Sequence, residues 1–327
     1  MKRTPIILAA ILVLQVAGAV ALGVMGPDYG AYEANEPLVA FDADRVDEVA
    51  IDASEGESVV LRRQEDGWIL PGLHDFPADT EKVADLLKRL QDLKKGLPVA
   101  VTGAAVTRFK VTEESHERRI ALRAGGDALG EVLFGTSPSF RQVHVRTPDD
   151  DAVYSVSFAT YEAGTRPEDW MDRDFLEIPE DEIARIELSS VALVRGADGL
   201  AVDGLAEGEV TVEEEANKLL RTVARPTFTA VEGRGDAALE RVDEPDFTVT
   251  VKRKDGASTT YRYKKVADKN EYVFASSAHD YLFRVVKYAV EPILEATREK
   301  LVKPAPAGPG DGDAKIGEGA SASDGGS

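Results

Sequence analysis

The feature that most constrains this chain is a repeat. Ile120, Leu122, Val132, Phe134, Val143, Val145, Tyr154 and Val156 recur as Val249, Val251, Tyr261, Tyr263, Tyr272, Phe274, Phe283 and Val285, each 129 residues later. Upstream, Leu86, Leu87 and Leu90 match Leu219, Leu220 and Val223 at an offset of 133. Earlier still, Ile51, Val59, Leu61, Asp66-Gly67-Trp68 and Leu70 match Ile186, Val191, Leu193, Asp198-Gly199-Leu200 and Val202. Here the offset is 135, falling to 132 where the second copy shortens its first hairpin. Alternation alone permits many registers, but shared turns do not. The chain of 327 residues, 43% apolar, therefore reads as two copies of about 130 residues, each able to bury a core.

Each copy has the same outline. Val49 and Ile51, then Val59 and Leu61, alternate with polar residues across Ser54-Glu55-Gly56, which marks a hairpin; Trp68-Ile69-Leu70 adds a third strand. Pro77-Ala78-Asp79-Thr80 opens a helix whose Val83, Leu86, Leu87, Leu90 and Leu93 keep helical spacing up to Gly96 and Pro98. In the second copy Thr211 and Glu214 have capping-box spacing. Four short strands follow, around 120–122, 131–134, 142–145 and 152–156, and tight turns favour an antiparallel meander. The fold class is α+β: tandem repeats at 45–178 and 179–303, each an antiparallel sheet packed on one helix. The first closes in Trp170-Met171-Asp172-Arg173, whereas the second ends in an amphipathic helix from Tyr288 to Val302, kinked or restarted at Pro292.

The repeats lie between two unlike ends. Ile6 to Gly26 is a 21-residue apolar run, through Leu14 and Leu22, whose only polar member is Gln15. At 1.5 Å per residue it spans roughly 30 Å, the thickness of a bilayer core. Lys2 and Arg3 precede it, so the positive-inside rule leaves the N-terminus cytoplasmic and the bulk of the chain across the membrane. The expectation is a single transmembrane helix at 1–26 and an acidic linker at 27–44. Ala17-Gly18-Ala19 and Ala19-Val20-Ala21 keep signal-peptidase cleavage open as the alternative. Residues 304–327, with Ile316 as their one sizeable apolar side chain, read as a disordered tail.

Charge and composition remove several functions. With no cysteine, thiolate metal sites, cysteine nucleophiles and lipoprotein anchoring are excluded. A net charge of -20 argues against a phosphate-backbone partner, so no nucleic acid is expected. His74, His116, His144 and His279 show no metal-ligand helical spacing, and neither a Gly-x-Ser-x-Gly elbow nor a Walker loop occurs. His144 reads as a half-exposed strand residue, and His279, beside Asp280, as a turn residue. Asp149-Asp150-Asp151 and Glu213-Glu214-Glu215 read as a solvated turn and a helix-dipole complement. No catalytic, metal or cofactor-binding residue is assigned.

One basic stretch stands out. Lys252, Lys254, Arg262 and Lys264 fall on one face of a hairpin, away from Val251, Tyr261 and Tyr263. That face is either a docking surface for a partner or membrane headgroups, or an edge guarded by lysine against stray pairing.

The Gly-Trp strand end, the Pro-Ala-Asp helix start, Leu-Leu-x-x-Leu on that helix and Trp170-Met171-Asp172-Arg173 before an Ile-rich strand resemble the bacterial envelope family called domain of unknown function (DUF) 4340, over about residues 45–300. The resemblance implies an accessory envelope role beside ABC-transporter components of the gliding-motility type, and it carries no catalytic residues. The expected protein is a non-enzymatic, inner-membrane-anchored docking or scaffold component with its bulk in the periplasm. It contacts the lipid bilayer through residues 6–26 and an envelope protein partner beyond it. The alternatives are a secreted periplasmic binding protein and a hydrolase with dispersed carboxylates.

Overall fold

The computed structural model describes residues 36–306 except Asp66 and Asp198, together with Leu12, Val13, Gln15 and Val16. The chain divides into two compact units, Met1–Asp172 and Arg173–Ser327. Most of the apolar run, including Ile6, Leu14, Leu22 and Gly26, and the tail from residue 307 lie outside the described residues. Among the described residues no helix is long and apolar enough to cross a membrane.

The first unit runs β1 (Glu48–Asp52), β2 (Ser58–Gln64), β3 (Gly67–Leu70), β4 (Phe76–Ala78), α1 (Thr80–Asp92), α2 (Gly103–Arg108), β5 (Arg118–Ala124), β6 (Asp127–Phe134), β7 (Gln142–Arg146) and β8 (Tyr154–Ser157). Its eight strands form one antiparallel sheet in the order β4-β3-β2-β1-β5-β6-β7-β8. The meander expected from the turns is thus two meanders meeting at β1 and β5, with α1 in the connection between them. Gly67, at φ 136°, takes the backbone through the β2–β3 turn, a conformation that L side chains rarely adopt. Asp79 caps α1 by accepting from the Lys82 N–H at 2.9 Å. The helix buries Val83, Leu86, Leu87 and Leu90 and contacts β3.

The second unit runs β9 (Ile183–Glu187), β10 (Ala192–Gly196), β11 (Gly199–Val202), β12 (Glu209–Thr211), α3 (Glu213–Ala224), β13 (Ala230–Arg234), α4 (Asp236–Leu239), β14 (Phe247–Arg253), β15 (Ser258–Lys265), β16 (Glu271–Ser276), β17 (Tyr281–Val286), α5 (Lys287–Leu294), α6 (Arg298–Leu301) and β18 (Val302–Pro304). Its large sheet is antiparallel in the order β11-β10-β9-β14-β15-β16-β17-β13, and β12 pairs with β18. Pro292 lies inside α5, which stops at Leu294, and helix resumes at Arg298.

The residue pairs of the two sheets correspond closely. Ile120 faces Val132 as Val249 faces Tyr261, and Phe134 faces Val145 as Tyr263 faces Phe274. Val143 faces Val156 as Tyr272 faces Val285, and Tyr154 faces Val145 as Phe283 faces Phe274. All of these hold at the offset of 129. The first hairpin differs from the sequence alignment. Ile186 pairs with Leu193 and Val251, which is the place of Val49, paired with Leu61 and Leu122, and not of Ile51. A two-residue slip keeps every side chain on its face, so alternation could not detect it.

Two local expectations are also corrected. Thr211 does not cap α3, whose N-cap is Val212 without a side-chain bond; its hydroxyl accepts the Val202 N–H at 2.9 Å instead. The units also end more alike than their sequences indicate. In the first, the Asp79 N–H donates to the Trp170 carbonyl at 2.8 Å and Ala78 bridges Met171. In the second, the Val212 N–H donates to the Leu301 carbonyl at 2.8 Å and Thr211 pairs with Val302. Each final segment returns to the strand just before the unit's main helix.

Candidate functional site

Apart from Arg173, which opens the second unit, the residues quoted for the family resemblance gather in the first. Trp68 is buried on β3 with the Arg63 guanidinium 5.0 Å from its ring centre. The next strand, β4, pairs Ala78 with Trp68 and carries Pro77, whose carbonyl accepts the Asp172 N–H at 3.0 Å. Trp170 is fully buried, donates Nε1–H to the Gly164 carbonyl at 2.8 Å and lies 5.1 Å from Lys82 Nζ. Lys82 Nζ also donates to the Asp169 carbonyl. Gly164 leaves room for this closing turn, since a Cβ there would stand 2.7 Å from the Cβ of Asp169. These contacts lock a sheet edge, a helix start and a closing segment together.

A polar cleft of about 550 Å³ in the same unit is lined by Ser54, Glu55, Glu57, Lys110, His116, Glu117 and Arg118 among others. Behind it, Asp52 Oδ2 lies 2.9 Å from His116 Nε2, and Ser54 is adjacent, a grouping that resembles a nucleophile, base and acid. The bonding is different. Ser54 Oγ donates to the His116 carbonyl at 2.7 Å and accepts the His116 N–H at 2.6 Å, leaving no bond between hydroxyl and imidazole. The imidazole, almost fully buried, has its Nδ1 on the Thr112 carbonyl at 3.2 Å. The trio therefore staples the β1–β2 hairpin to the loop before β5; it does not activate the serine. Asp52 and His116 are 64 residues apart, and no local pattern announces their pairing.

The other histidines are placed by packing. His144 is buried, not half-exposed: it does face away from Val143 and Val145, but the Phe109 ring lies 4.1 Å from it and Nδ1 is 2.8 Å from the Thr136 carbonyl. His279 rests on Phe175 at 4.2 Å, and burial lowers its pKa. In the aspartate run, Asp150 accepts the Tyr154 hydroxyl at 2.9 Å and the Ala152 N–H at 2.9 Å, and pairs with Lys95 at 3.2 Å. Among the described residues no three histidines or carboxylates gather as metal ligands.

The basic hairpin is β14–β15. Lys252 and Arg262 share a face, as the pairs Lys252–Ser258 and Thr248–Arg262 require. Lys252 Nζ reaches Glu187 at 2.9 Å, Arg262 reaches Asp243 at 3.2 Å, and Lys264 Nζ donates to the Glu244 carbonyl at 2.6 Å. Lys254 is exposed just past the end of β14. Lys252 and Arg185 hold the Glu187 carboxyl below the usual carboxylate range. Behind this face Tyr261 and Tyr263 are buried, and desolvation raises both phenols.

Compared with known proteins, residues 68–245 match one family model, that of a domain of unknown function (DUF4340). The match begins at Trp68 on β3, crosses the boundary between the units and stops just before β14. No curated protein and no solved structure matches the chain.

Proposed function

The chain belongs to the DUF4340 family, and from that premise we propose that it is a membrane-anchored, extracytoplasmic scaffold protein without enzymatic activity that docks to an envelope complex such as an ABC transporter. The observation carrying this reading is the 21-residue apolar run at 6–26 behind Lys2 and Arg3, followed by an acidic remainder. The bonding of Ser54, His116 and Asp52 supports a non-catalytic role, because the hydroxyl and imidazole in the polar cleft are committed to structural contacts. The two units descend from one duplicated ancestor; the shared residue pairs at offset 129 and the parallel closing segments support that history. Contact with a partner protein falls to the β14–β15 face with Lys252, Lys254, Arg262 and Lys264. A partner there exchanges existing ion pairs with Glu187 and Asp243 for its own.

Membrane fractionation tests the reading. The full chain is expected to remain with membranes through a high-salt wash and to be released when residues 1–26 are deleted. Intact mass separates the second reading, a periplasmic binding protein freed by cleavage after Ala19 or Ala21: a mature chain starting at either next residue rules out the anchor. Serine at Lys252, Lys254, Arg262 and Lys264 is expected to abolish co-purification of a transporter component in mild detergent; unchanged recovery removes this face from the docking role.

A further inference from the structure

The first unit carries an uncharged segment, 97–104, whose apolar side chains face solvent: Leu97 is 72% exposed, Val99 46% and Val101 61%. The exposed residues alternate, as on a strand, and backbone bonds fix the segment beside the start of β8. Val99 N–H donates to the Val153 carbonyl and Val153 N–H to the Ala100 carbonyl, both at 2.8 Å. In the second unit the corresponding edge, beside β17, is occupied by β13, whose Val231 is buried. An extended, uncharged apolar edge is one that soluble proteins ordinarily guard with charge or cover.

What covers it is indicated by where the N-terminal part of the chain arrives. The Lys95 N–H donates to the Glu36 carbonyl at 2.8 Å, Pro37 bridges Lys94, and the Leu38 N–H donates to the Leu93 carbonyl at 2.9 Å. The polypeptide coming from the apolar run therefore joins the fold two residues from Leu97. Ten residue steps separate Gly26 from Glu36, a reach of at most about 35 Å. Lys95 also pairs with Glu36 at 3.6 Å and Asp150 at 3.2 Å, offsetting two carboxylates beside the segment.

We propose that Leu97, Val99 and Val101 insert into the headgroup–acyl boundary of the same bilayer that holds residues 6–26. This rests on the anchoring reading and adds to it a second, interfacial contact that fixes how the first unit faces the membrane. The bilayer suits the segment because the side chains offered are leucine and valine without a charge among them.

The absence of cysteine makes a clean test available. Val99→Cys and Phe140→Cys are made in the full chain, labelled with an NBD fluorophore and reconstituted in phosphatidylcholine vesicles that are floated on a gradient. Phe140 is the control, 86% exposed and just before the end of β7 opposite that facing the start of β8. The label at residue 99 is expected to shift to the blue and to be quenched about twofold or more by doxyl-labelled lipid, while the label at 140 stays in water. A floated protein whose residue-99 label stays in water overturns the proposal and leaves the anchor standing. A blue shift without lipid quenching assigns the segment to protein contact and also overturns it. A chain that fails to float overturns the anchoring reading, and this proposal with it.

Discussion

Gly135 shows how a single residue holds two layers of the first unit together. Its N–H donates to the His144 carbonyl, and a Cβ at this position would lie 1.9 Å from the Phe109 carbonyl and 2.6 Å from that of Lys110. Gly135→Ala is therefore expected to cost about 3 kcal/mol, read as a lowered urea midpoint, because both contacts are backbone and cannot swing aside. An unchanged midpoint would show that the Phe109 turn yields freely. The same turn explains why His144 is buried where alternation alone predicts a half-exposed strand residue. Alternation gave its face correctly but could not show that Phe109, 35 residues earlier, covers that face. In the second unit Glu232 sets a pH response. Arg284 donates to it at 2.7 Å and Arg241 at 3.2 Å, and these bonds hold its carboxyl below the usual range against the opposing effect of burial. A lowered folded pKa contributes stability above the unfolded value of about 4.3, and that stability is lost as pH falls through the folded value. Glu232→Gln should lower the urea midpoint at neutral pH and flatten its decline below about pH 4.3; a parallel curve would show that Glu232 does not carry the effect.

Between strand and helix, the two units solve one problem with different chemistry. Asp79 caps α1 through its carboxylate, while α3 has Val212 at its N-cap with no side-chain bond and a first turn of Glu213, Glu214 and Glu215. Asp79→Ala is expected to cost about 1 kcal/mol, whereas Thr211→Val loses the bond to the Val202 N–H and leaves α3 helicity intact. Far-UV circular dichroism with urea titration distinguishes the two; loss of helix in the Thr211 variant would restore the capping box. The contrast marks how far elements were legible. Apolar spacing locates α1 and α3, and pattern alone reaches a strand's partner only where a tight turn joins the two, as between β1 and β2. β4 is not legible in the pattern because Pro77 and Asp79 are also strong helix-start signals, and only pairing with Trp68 decides in favour of a strand. Ile186 takes the place of Val49 and not of Ile51 for a related reason: hairpin length, not side-chain pattern, sets which of two same-face residues takes the central position.

At the scale of the whole molecule, the distribution of aromatic residues makes the two units separately observable. Both tryptophans, Trp68 and Trp170, lie buried in the first unit, so tryptophan fluorescence reports that unit alone. The second unit is built instead around stacked rings, with Phe274 5.0 Å from Tyr263 and 5.2 Å from Phe283. Val145 and Phe134 take the places of Phe274 and Tyr263 in the first unit, so the same residue pair is filled there with one ring fewer. Phe274 is fully buried, and Phe274→Ala removes a ring from that stack at an expected cost of about 3–5 kcal/mol. Because each unit has its own sheet and buried core, that loss should move only part of the thermal transition followed by far-UV circular dichroism, while the transition followed by tryptophan fluorescence keeps its midpoint. If both signals shift together, the units unfold as one cooperative body, and the cores that the sheets define separately are coupled in stability.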